Sequence, residues 1–384
     1  MLSRRLLRHY LQDVCIVGYG RSATGQYGGV FKGISNVNLA SQVCAGTLSK
    51  FSIPKDLIET SYTGIYLFSE IGPSPTKQVA AKIGLPPGLN CTYVNKLCAS
   101  GFKAVLLGII DVMAKQSKLV LTGGMEHMTE ALYHLSKEEQ RKKVVTTFKC
   151  LIEGKLLAEI ADDFARREGF TREQQDNFAL ESLERATYAK TNKLIKDEII
   201  PVTIDGNVID EDELKDYRDV CKSIRSLVKG GSVTSINTAP FGDGACYIVL
   251  CTREEAKNLG LKVYGSIISI GEHENASKDF ITSHHTAMEK ALTKGKLTLN
   301  DIDLFEIAET FALVPLVSIR DLKLDSKKVN IYGGDLAYAH PPGTTGVKMI
   351  ISLLQALKNE KKEIGMIAMP GACGGGSALI IRRE

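Results

Sequence analysis

The chain repeats one pattern of residues at a fixed spacing, and this repeat restricts the folds open to it. Residues 100–124, SGFKAVLLGIIDVMAKQSKLVLTGG, run from a small residue and a glycine through an apolar segment to a short strand that ends in glycine, and residues 345–371 repeat that order. An offset of 245 residues occurs in two separate places, Lys103 to Lys348 (348 − 103) and Asp56 to Asp301 (301 − 56). Two copies of a strand–helix unit are therefore expected to stack into one α/β body.

Several short apolar segments predict the strands of this body. They lack strict alternation of polar and apolar residues, which is typical of strands covered by helices on both faces. The segments are DVCIVGYG (13–20), LVLTGG (119–124), CYIVLC (246–251) and IGMIAM (364–369).

A polar, charge-rich stretch separates the two copies. It includes KEEQRKK and IDEDELKDYRDV, whose charges predict a solvated surface on an inserted loop region and not a third core. The predicted organisation is a basic N-terminal segment (1–12), an N-terminal half (13–124 with part of 236–250), the inserted region (125–235) and a C-terminal half (251–384).

Charge and cysteine content narrow the class of protein. A net charge of +4 is too small and too scattered to indicate a nucleic-acid partner, although a mildly basic surface suits a phosphorylated substrate. The nine cysteines occur without C-x-x-C pairs, which favours free thiols in a reducing compartment. No apolar run is long enough to span a bilayer.

The first residues carry a separate signal. MLSRRLLRHYLQ combines four Arg and His side chains with leucines and has no acidic residue. This composition indicates a mitochondrial targeting segment, and therefore a protein of the matrix, with a short basic arm as the alternative.

Cys98 is the first candidate for chemistry. It lies between the strand-like NCTYVN and a helix that opens at Ser100 and Gly101, where unpaired backbone N–H groups and the helix dipole favour a thiolate. The glycine would let the backbone approach a substrate closely. A buried core cysteine is the alternative interpretation of this segment alone.

Two further loops favour a catalytic interpretation. His340 lies in the Gly- and Pro-rich loop YGGDLAYAHPPGTTG, directly before the helix of the second copy. Cys373 follows a strand and precedes three glycines, whose backbone N–H groups could face an oxyanion. By the duplication, the His340 loop is the counterpart of the Cys98 loop, so the two are expected to meet.

These motifs resemble those of the thiolase family, from about Asp13 to Arg383. VNKLCASGFKA resembles the nucleophile motif, NIYGGDLAYAHPPGTTG the histidine motif and CGGG the C-terminal cysteine motif, with further likeness in GGMEHMT and GSVTSINTAPFGDGA. The resemblance implies two duplicated βαβ-type halves, with helices covering a mixed sheet in five layers. It also implies a homodimer or homotetramer with a place in lipid metabolism.

The resemblance implies acyl transfer through a thioester on Cys98. His340 would remove the thiol proton and line an oxyanion hole, Cys373 would shuttle a proton at the α-carbon of acetyl-CoA, and the backbone N–H groups of Cys98 and Gly375 would form a second hole. Coenzyme A or acetyl-CoA is the implied substrate, with no metal ion and no permanently bound cofactor. Its implied contacts are Arg218, Arg225, Ala239 and Phe311, together with Lys222 and Lys229 for the phosphates.

The sequence departs from the family pattern around the substrate. Ala308 stands where the family has an asparagine that fixes a water in the oxyanion hole, and the loss of one such donor typically costs on the order of a hundred- to a thousand-fold in turnover. Leu156, Leu157 and Ala158 replace a His-Met-Gly run, and Ala239 replaces a serine.

Three functions follow from these observations. The first is a thiolase-type enzyme that makes or cleaves acetoacetyl-CoA or a short 3-ketoacyl-CoA. The second is a catalytically weakened thiolase-fold subunit with a structural role in a larger mitochondrial assembly, which the pocket changes favour. The third, a ketoacyl synthase, is the weakest because a second histidine is absent at the position of Ala308.

Overall fold

The computed structural model describes residues 13–67, 71–133, 135–139, 142, 148–220 and 223–384. The predicted targeting segment, residues 1–12, and Lys222 lie outside the described residues. The longer helices are α1 (Asn36–Lys50), α2 (Pro75–Lys82), α3 (Ser100–Met113), α4 (Met128–Tyr133), α5 (Leu157–Glu168), α6 (Arg172–Thr191), α7 (Arg253–Asn258), α8 (Ser283–Gly295), α9 (Leu313–Leu322), α10 (Asp335–Tyr338) and α11 (Pro342–Asn359). Among the described residues, no helix has both the length and the apolarity that crossing a bilayer requires.

One mixed sheet runs through the molecule. Its strands are β1 (Val14–Arg21), β2 (Gly25–Gln26), β3 (Ile58–Gly64), β4 (Asn90–Val94), β5 (Leu119–His127), β10 (Gly242–Thr252), β11 (Gly265–Glu274), β12 (Leu304–Ile307), β13 (Ile364–Pro370) and β14 (Gly375–Arg383). Two hairpins lie outside it, β6 (Lys149–Cys150) with β7 (Lys155–Leu156), and β8 (Val202–Ile204) with β9 (Asn207–Ile209). The order across the sheet is β12-β13-β14-β11-β1-β10-β5-β3-β4, with β2 paired to β10.

The sheet consists of two similar halves joined by a narrow contact. β1 and β11 pair over only two positions, Cys15 with Ser266 and Ile16 with Gly265. On either side of that contact the order is the same: an antiparallel neighbour (β10 or β14), then β5 or β13, and then a parallel neighbour (β3 or β12). In the N-terminal half, β1, β5 and β10 are buried along almost their whole length, as the apolar segments predict.

The repeat found in the sequence corresponds to this symmetry. Shifted by 245 residues, α3 falls within α11 and β5 overlaps β13. The two helices pack side by side, and most residues of α11 are buried, as expected for a helix at the centre of a domain.

The halves and the helices form five layers. A central core contains apolar side chains of α3 and α11 together with strands of both halves. Separate outer cores place α1 against β1 and β10, and α8 against β11, β13 and β14. The order helix, sheet, helix, sheet, helix confirms the predicted fold class. The proposed residue boundaries of the domains stay a prediction.

The inserted region differs from the prediction at Asp212. The charge-rich IDEDELKDYRDV was expected to be solvated, but Asp212 is 1% exposed. It accepts hydrogen bonds from Nη1 and Nη2 of Arg21, at 2.7 and 2.9 Å, while Nε of Arg21 donates to Glu198 at 2.7 Å. A buried charge needs such partners, and a charge count along the sequence does not reveal them.

Candidate active site

A strained turn presents Cys98 just before α3. Leu97 has a positive φ of 52°, which is uncommon for a residue other than glycine, and Cys98 follows it directly. The hydroxyl of Ser100 fixes the turn, since Oγ donates to the Leu97 carbonyl at 2.5 Å and accepts from the Lys96 N–H at 2.9 Å. The sulfur therefore lies at the positive end of the helix dipole.

Two details of this turn differ from the sequence interpretation. The N–H groups of Ala99 and Ser100 are not unpaired, because they donate to the carbonyls of Lys96 and Leu97. Gly101 serves helix packing and not substrate approach: a side chain there would come within 2.2 Å of the Gly343 carbonyl oxygen at the start of α11. The glycine lets the two central helices bring the Cys98 and His340 loops together.

His340 is held from its Nδ1 side. Nδ1 lies 2.8 Å from Oγ1 of Thr345 and 3.5 Å from Oδ2 of Asp335, and the ring is 6% exposed. Burial alone would lower the pKa of His340, but the neighbouring Cys98 and Asp335 raise it to about 10. His340 is therefore the basic group beside Cys98 that can hold its proton.

Cys373 stands in a tight turn beside a further cysteine. It has a left-handed φ of 67°, and the Gly371 N–H donates to the Gly375 carbonyl at 2.5 Å. Its sulfur lies 3.7 Å from that of Cys150 on the β6–β7 hairpin. Burial and the Cys150 thiol raise the pKa of Cys373 to about 11, so this thiol is protonated near neutral pH.

One cavity of about 640 Å³ contains all three groups, Cys98, His340 and Cys373. Its volume lies in the usual range for a small-molecule site. Most of the wall is apolar, and Phe148 stacks on Phe241 with ring centres 4.9 Å apart. The other lining residues that bear on the prediction are Leu156, Leu157, Ala158, Lys229, Ala239 and Phe311.

The structure separates the predicted coenzyme A contacts into two groups. Ala239, Phe311 and Lys229 line the cavity. Arg218 lies in a different surface groove, beside Leu183 and Tyr188, and forms an ion pair with Asp216. Arg225 is exposed and is not among the residues that line the cavity. The predicted contacts of Arg218 and Arg225 with coenzyme A stay predictions.

Gly375 and Ala308 also differ from their expected placement. Gly375 begins β14, and the cavity is instead lined at this point by Ala372 and Cys373. Ala308 faces a small enclosed void of about 20 Å³, which it shares with Asp335 and Lys348. The predicted role of Gly375 in an oxyanion hole stays a prediction.

The sequence interpretation did not identify several residues of the site. Phe148 and Cys150 belong to the inserted region, which folds back over the cavity, and nothing in the segment FKC distinguishes them. Asp335 could have been noticed, since it is an acid five residues before His340 in a loop rich in glycine and proline. Glu126 accepts backbone hydrogen bonds from Tyr66, Leu67 and Gly343 and so ties the loop after β3 to the start of α11.

Replacing Cys150 by alanine is expected to make Cys373 more reactive. Because Cys150 contributes to the raised pKa of Cys373, its removal lowers that pKa, and a decrease of about half a unit increases the thiolate fraction about threefold. Iodoacetamide labelling at pH 8, followed by peptide mass spectrometry, measures this rate. Cys91→Ala, on the edge strand β4, is the control, and an equal or lower rate at Cys373 in Cys150→Ala contradicts the expectation.

Comparison with known protein families identifies the class. Residues 14–254 match the thiolase N-terminal domain, and residues 261–383 match the thiolase C-terminal domain. The chain belongs to the thiolase family.

Individual relatives are similar along almost the whole chain. An acetyl-CoA acetyltransferase of Schizosaccharomyces pombe is 32% identical over 97% of this chain and 99% of its own. A Bacillus anthracis acetyl-CoA acetyltransferase structure superposes with a TM-score of 0.92 at 27% identity, covering 97% of this chain and 99% of the other. The Acat5 thiolase of Ascaris suum, solved in complex with coenzyme A, has a TM-score of 0.89 at 26% identity, covering 97% and 100%.

Proposed function

We propose that this protein is an acyltransferase that makes or cleaves acetoacetyl-CoA, or a short 3-ketoacyl-CoA, through an acyl-enzyme on Cys98. The observation that carries the proposal is the meeting of Cys98, His340 and Cys373 in one cavity. The names of the relatives support it. The alternative of a structural subunit is less favoured, because these three groups remain together.

In the cleavage direction, the thiolate of Cys98 attacks the 3-keto carbon of the substrate. Its proton has passed to His340, whose Nε2–H faces the developing oxyanion. The bond between the 2- and 3-carbons then breaks, and the departing enolate takes a proton from the thiol of Cys373. The raised pKa of Cys373 keeps this thiol protonated and ready to donate.

Free coenzyme A completes the cycle. Its thiol gives a proton to the Cys373 thiolate, which restores the thiol of Cys373, and its sulfur attacks the acyl group on Cys98. The new thioester forms as the bond between Cys98 and the acyl carbon breaks, and the cysteine thiolate is regenerated beside the His340 imidazolium. Ala239, Phe311 and the Phe148–Phe241 pair offer an apolar channel for the pantetheine arm. Lys149 and Lys229 both line the cavity and supply positive charge for a phosphate.

The purified full chain is expected to convert acetoacetyl-CoA and free coenzyme A into two molecules of acetyl-CoA. Chromatography of the CoA esters measures the product directly, with reactions lacking free coenzyme A as the control. If circular dichroism shows that the protein is folded but no acetyl-CoA forms, the proposal is contradicted and the structural-subunit alternative is favoured.

We also propose that the protein forms a homodimer or homotetramer. β4 is an edge strand of the sheet, and Tyr93 on it is 41% exposed. Exposed sheet edges are usually covered in stable proteins, and a second copy would cover this one. Light scattering is expected to give at least twice the mass of one chain, with a smaller mass for Tyr93→Lys; a monomeric wild type contradicts this proposal.

Location in the mitochondrial matrix is a proposal that rests on residues 1–12. Its test compares subcellular fractions of cells that express the full chain with cells that express a chain starting at Asp13. Equal distribution of the two would contradict it. A place in lipid metabolism follows only if the substrate is a 3-ketoacyl-CoA.

A further inference from the structure

A buried carboxylate lies behind the imidazole of His340. Asp335 begins α10 and is 3% exposed. Its Oδ2 is 3.5 Å from Nδ1 of His340 and has no hydrogen-bond partner among the described residues. Thr345, one turn into α11, contacts the same nitrogen at 2.8 Å, and its hydroxyl also reaches the Pro341 carbonyl at 3.2 Å. The ring is thus fixed from one edge by an alcohol and an acid.

Among the neighbouring acids, Asp335 is the one whose negative charge offsets the positive charges beside it. Lys348 Nζ lies 3.7 Å from Asp335 Oδ1 and is also above the Tyr338 ring at 4.3 Å. Burial raises the pKa of Glu306 well above its usual range and that of Glu309 to about 7, so Glu306 carries no charge near neutral pH. Asp335 therefore faces two cations, Lys348 and the protonated form of His340.

The opposite edge of the ring faces the reacting sulfur. Nε2 of His340 is buried and has no hydrogen-bond partner among the described residues. Cys98 is the neighbour that most favours protonation of the ring. The other titratable or charged groups around His340 and Asp335 lie on several elements: Arg21, Tyr66, Glu126, Glu198, Glu306, Glu309, Tyr332, Tyr338, Lys348 and Cys373. Arg21 is itself paired with Glu198 and Asp212.

We propose that Asp335 is a positioning residue of this active site, whose carboxylate holds His340 in the protonated, Nε2–H-donating form and thereby maintains Cys98 as a thiolate. Proton balance is simple. The thiol proton of Cys98 moves to Nε2. Nδ1–H stays on the ring and is donated to the Thr345 hydroxyl, with the Asp335 carboxylate 3.5 Å away. The inference rests on the proposed function only for the catalytic role of the ion pair between His340 and Cys98.

This arrangement offsets the loss of the asparagine at position 308. The methyl group of Ala308 cannot fix a water, and it faces the same small void as Asp335 and Lys348. A hydrogen bond from a charged donor is roughly twice as strong as a neutral one. With the asparagine present, a neutral imidazole and a bound water would both donate to the oxyanion. An imidazolium that stays protonated can therefore stabilise the oxyanion without that water.

The test is the pH dependence of Cys98 alkylation in the resting full chain, which needs no acyl-CoA. Iodoacetamide is the probe, and peptide mass spectrometry separates Cys98 from the other cysteines. Removal of an opposite charge at this distance changes a pKa by roughly one to three units. Asp335→Asn is therefore expected to slow alkylation at pH 7 by about tenfold or more and to move the inflection to higher pH.

The controls separate positioning from folding. Asp335→Glu keeps the charge and is expected to restore part of the rate. Asp303→Asn, a half-buried acid that bonds the N–H groups of Glu363 and Ile364, is expected to leave the profile unchanged. If folded Asp335→Asn protein shows the wild-type profile, the inference is overturned. An altered profile supports it even if the protein does not cleave acetoacetyl-CoA.

A measurement on the wild type covers the case in which Asp335→Asn does not fold. Nuclear magnetic resonance of ¹³C-labelled histidines, assigned with His340→Gln, reports the protonation of His340 directly. The ring is expected to remain protonated at pH 8, where an ordinary histidine is neutral. A neutral ring at that pH overturns the inference.

Discussion

Replacing Cys98 by alanine is expected to lower the rate of acetoacetyl-CoA cleavage by on the order of ten-thousand-fold or more, as losses of other catalytic nucleophiles do. Without the sulfur, no covalent acyl-enzyme can form, and the remaining groups of the cavity can only bind and polarise the substrate. The measurement is acetyl-CoA formation by the purified variant. Cys98 is buried in a tight turn, so circular dichroism must first show that the variant is folded.

Two matched variants make this result specific. Cys91→Ala removes a partly buried cysteine on β4, outside the cavity lining, and is expected to retain the wild-type rate. Cys98→Ser keeps the size and shape of the side chain but supplies a weaker nucleophile, so its rate is expected to stay close to that of the alanine variant. A Cys98→Ala protein that turns over at the wild-type rate contradicts the covalent mechanism.

Replacing Arg21 by methionine is expected to destabilise the folded protein by about 3–5 kcal/mol. Arg21 lies at the end of β1, is 1% exposed and bonds both Asp212 and Glu198. Its charge lowers the pKa of Asp212 even though burial alone would raise it. Without Arg21, two buried acids lose their cation, and the inserted region loses one of its attachments to the sheet.

Urea unfolding monitored by circular dichroism measures this change. Arg167→Met is the control, because Arg167 pairs with Glu168 and Asp279 at a half-exposed position, where such pairs contribute less than about 1 kcal/mol. The combined variant Arg21→Met, Asp212→Leu, Glu198→Leu removes all three charges and should recover part of the loss. A wild-type unfolding midpoint for Arg21→Met would show that the network contributes little.

The repeated pattern made much of the fold predictable. The 245-residue offset relates α3 to α11 and β5 to β13, and the unbroken apolar segments correspond to strands buried on both faces. Asp212 shows the limit of this reasoning. Its burial depends on Arg21, 191 residues earlier in the chain, and no local pattern distinguishes an acid with a distant partner from an acid in solvent.

The site was predictable where unusual local sequence accompanies the chemistry. His340 and Cys373 stand in loops rich in glycine or proline, and Cys98 directly precedes the repeated helix that opens at Ser100 and Gly101. The structure brings all three to one cavity. Cys150 could not be predicted, because it reaches Cys373 only through the folding of a hairpin 223 residues away in sequence. Arg218 forms an ion pair with its neighbour Asp216, and its predicted contact with coenzyme A stays a prediction.

Trapping the acyl-enzyme tests the central claim most directly. Wild-type protein is incubated with acetyl-CoA labelled in its acetyl group, quenched with acid and digested, and the labelled peptide is identified by mass spectrometry. We predict a single thioester on Cys98 that disappears when free coenzyme A is added before the quench. A protein that remains unlabelled, or one that carries the acetyl group on Cys150 or Cys373 instead, would contradict the account.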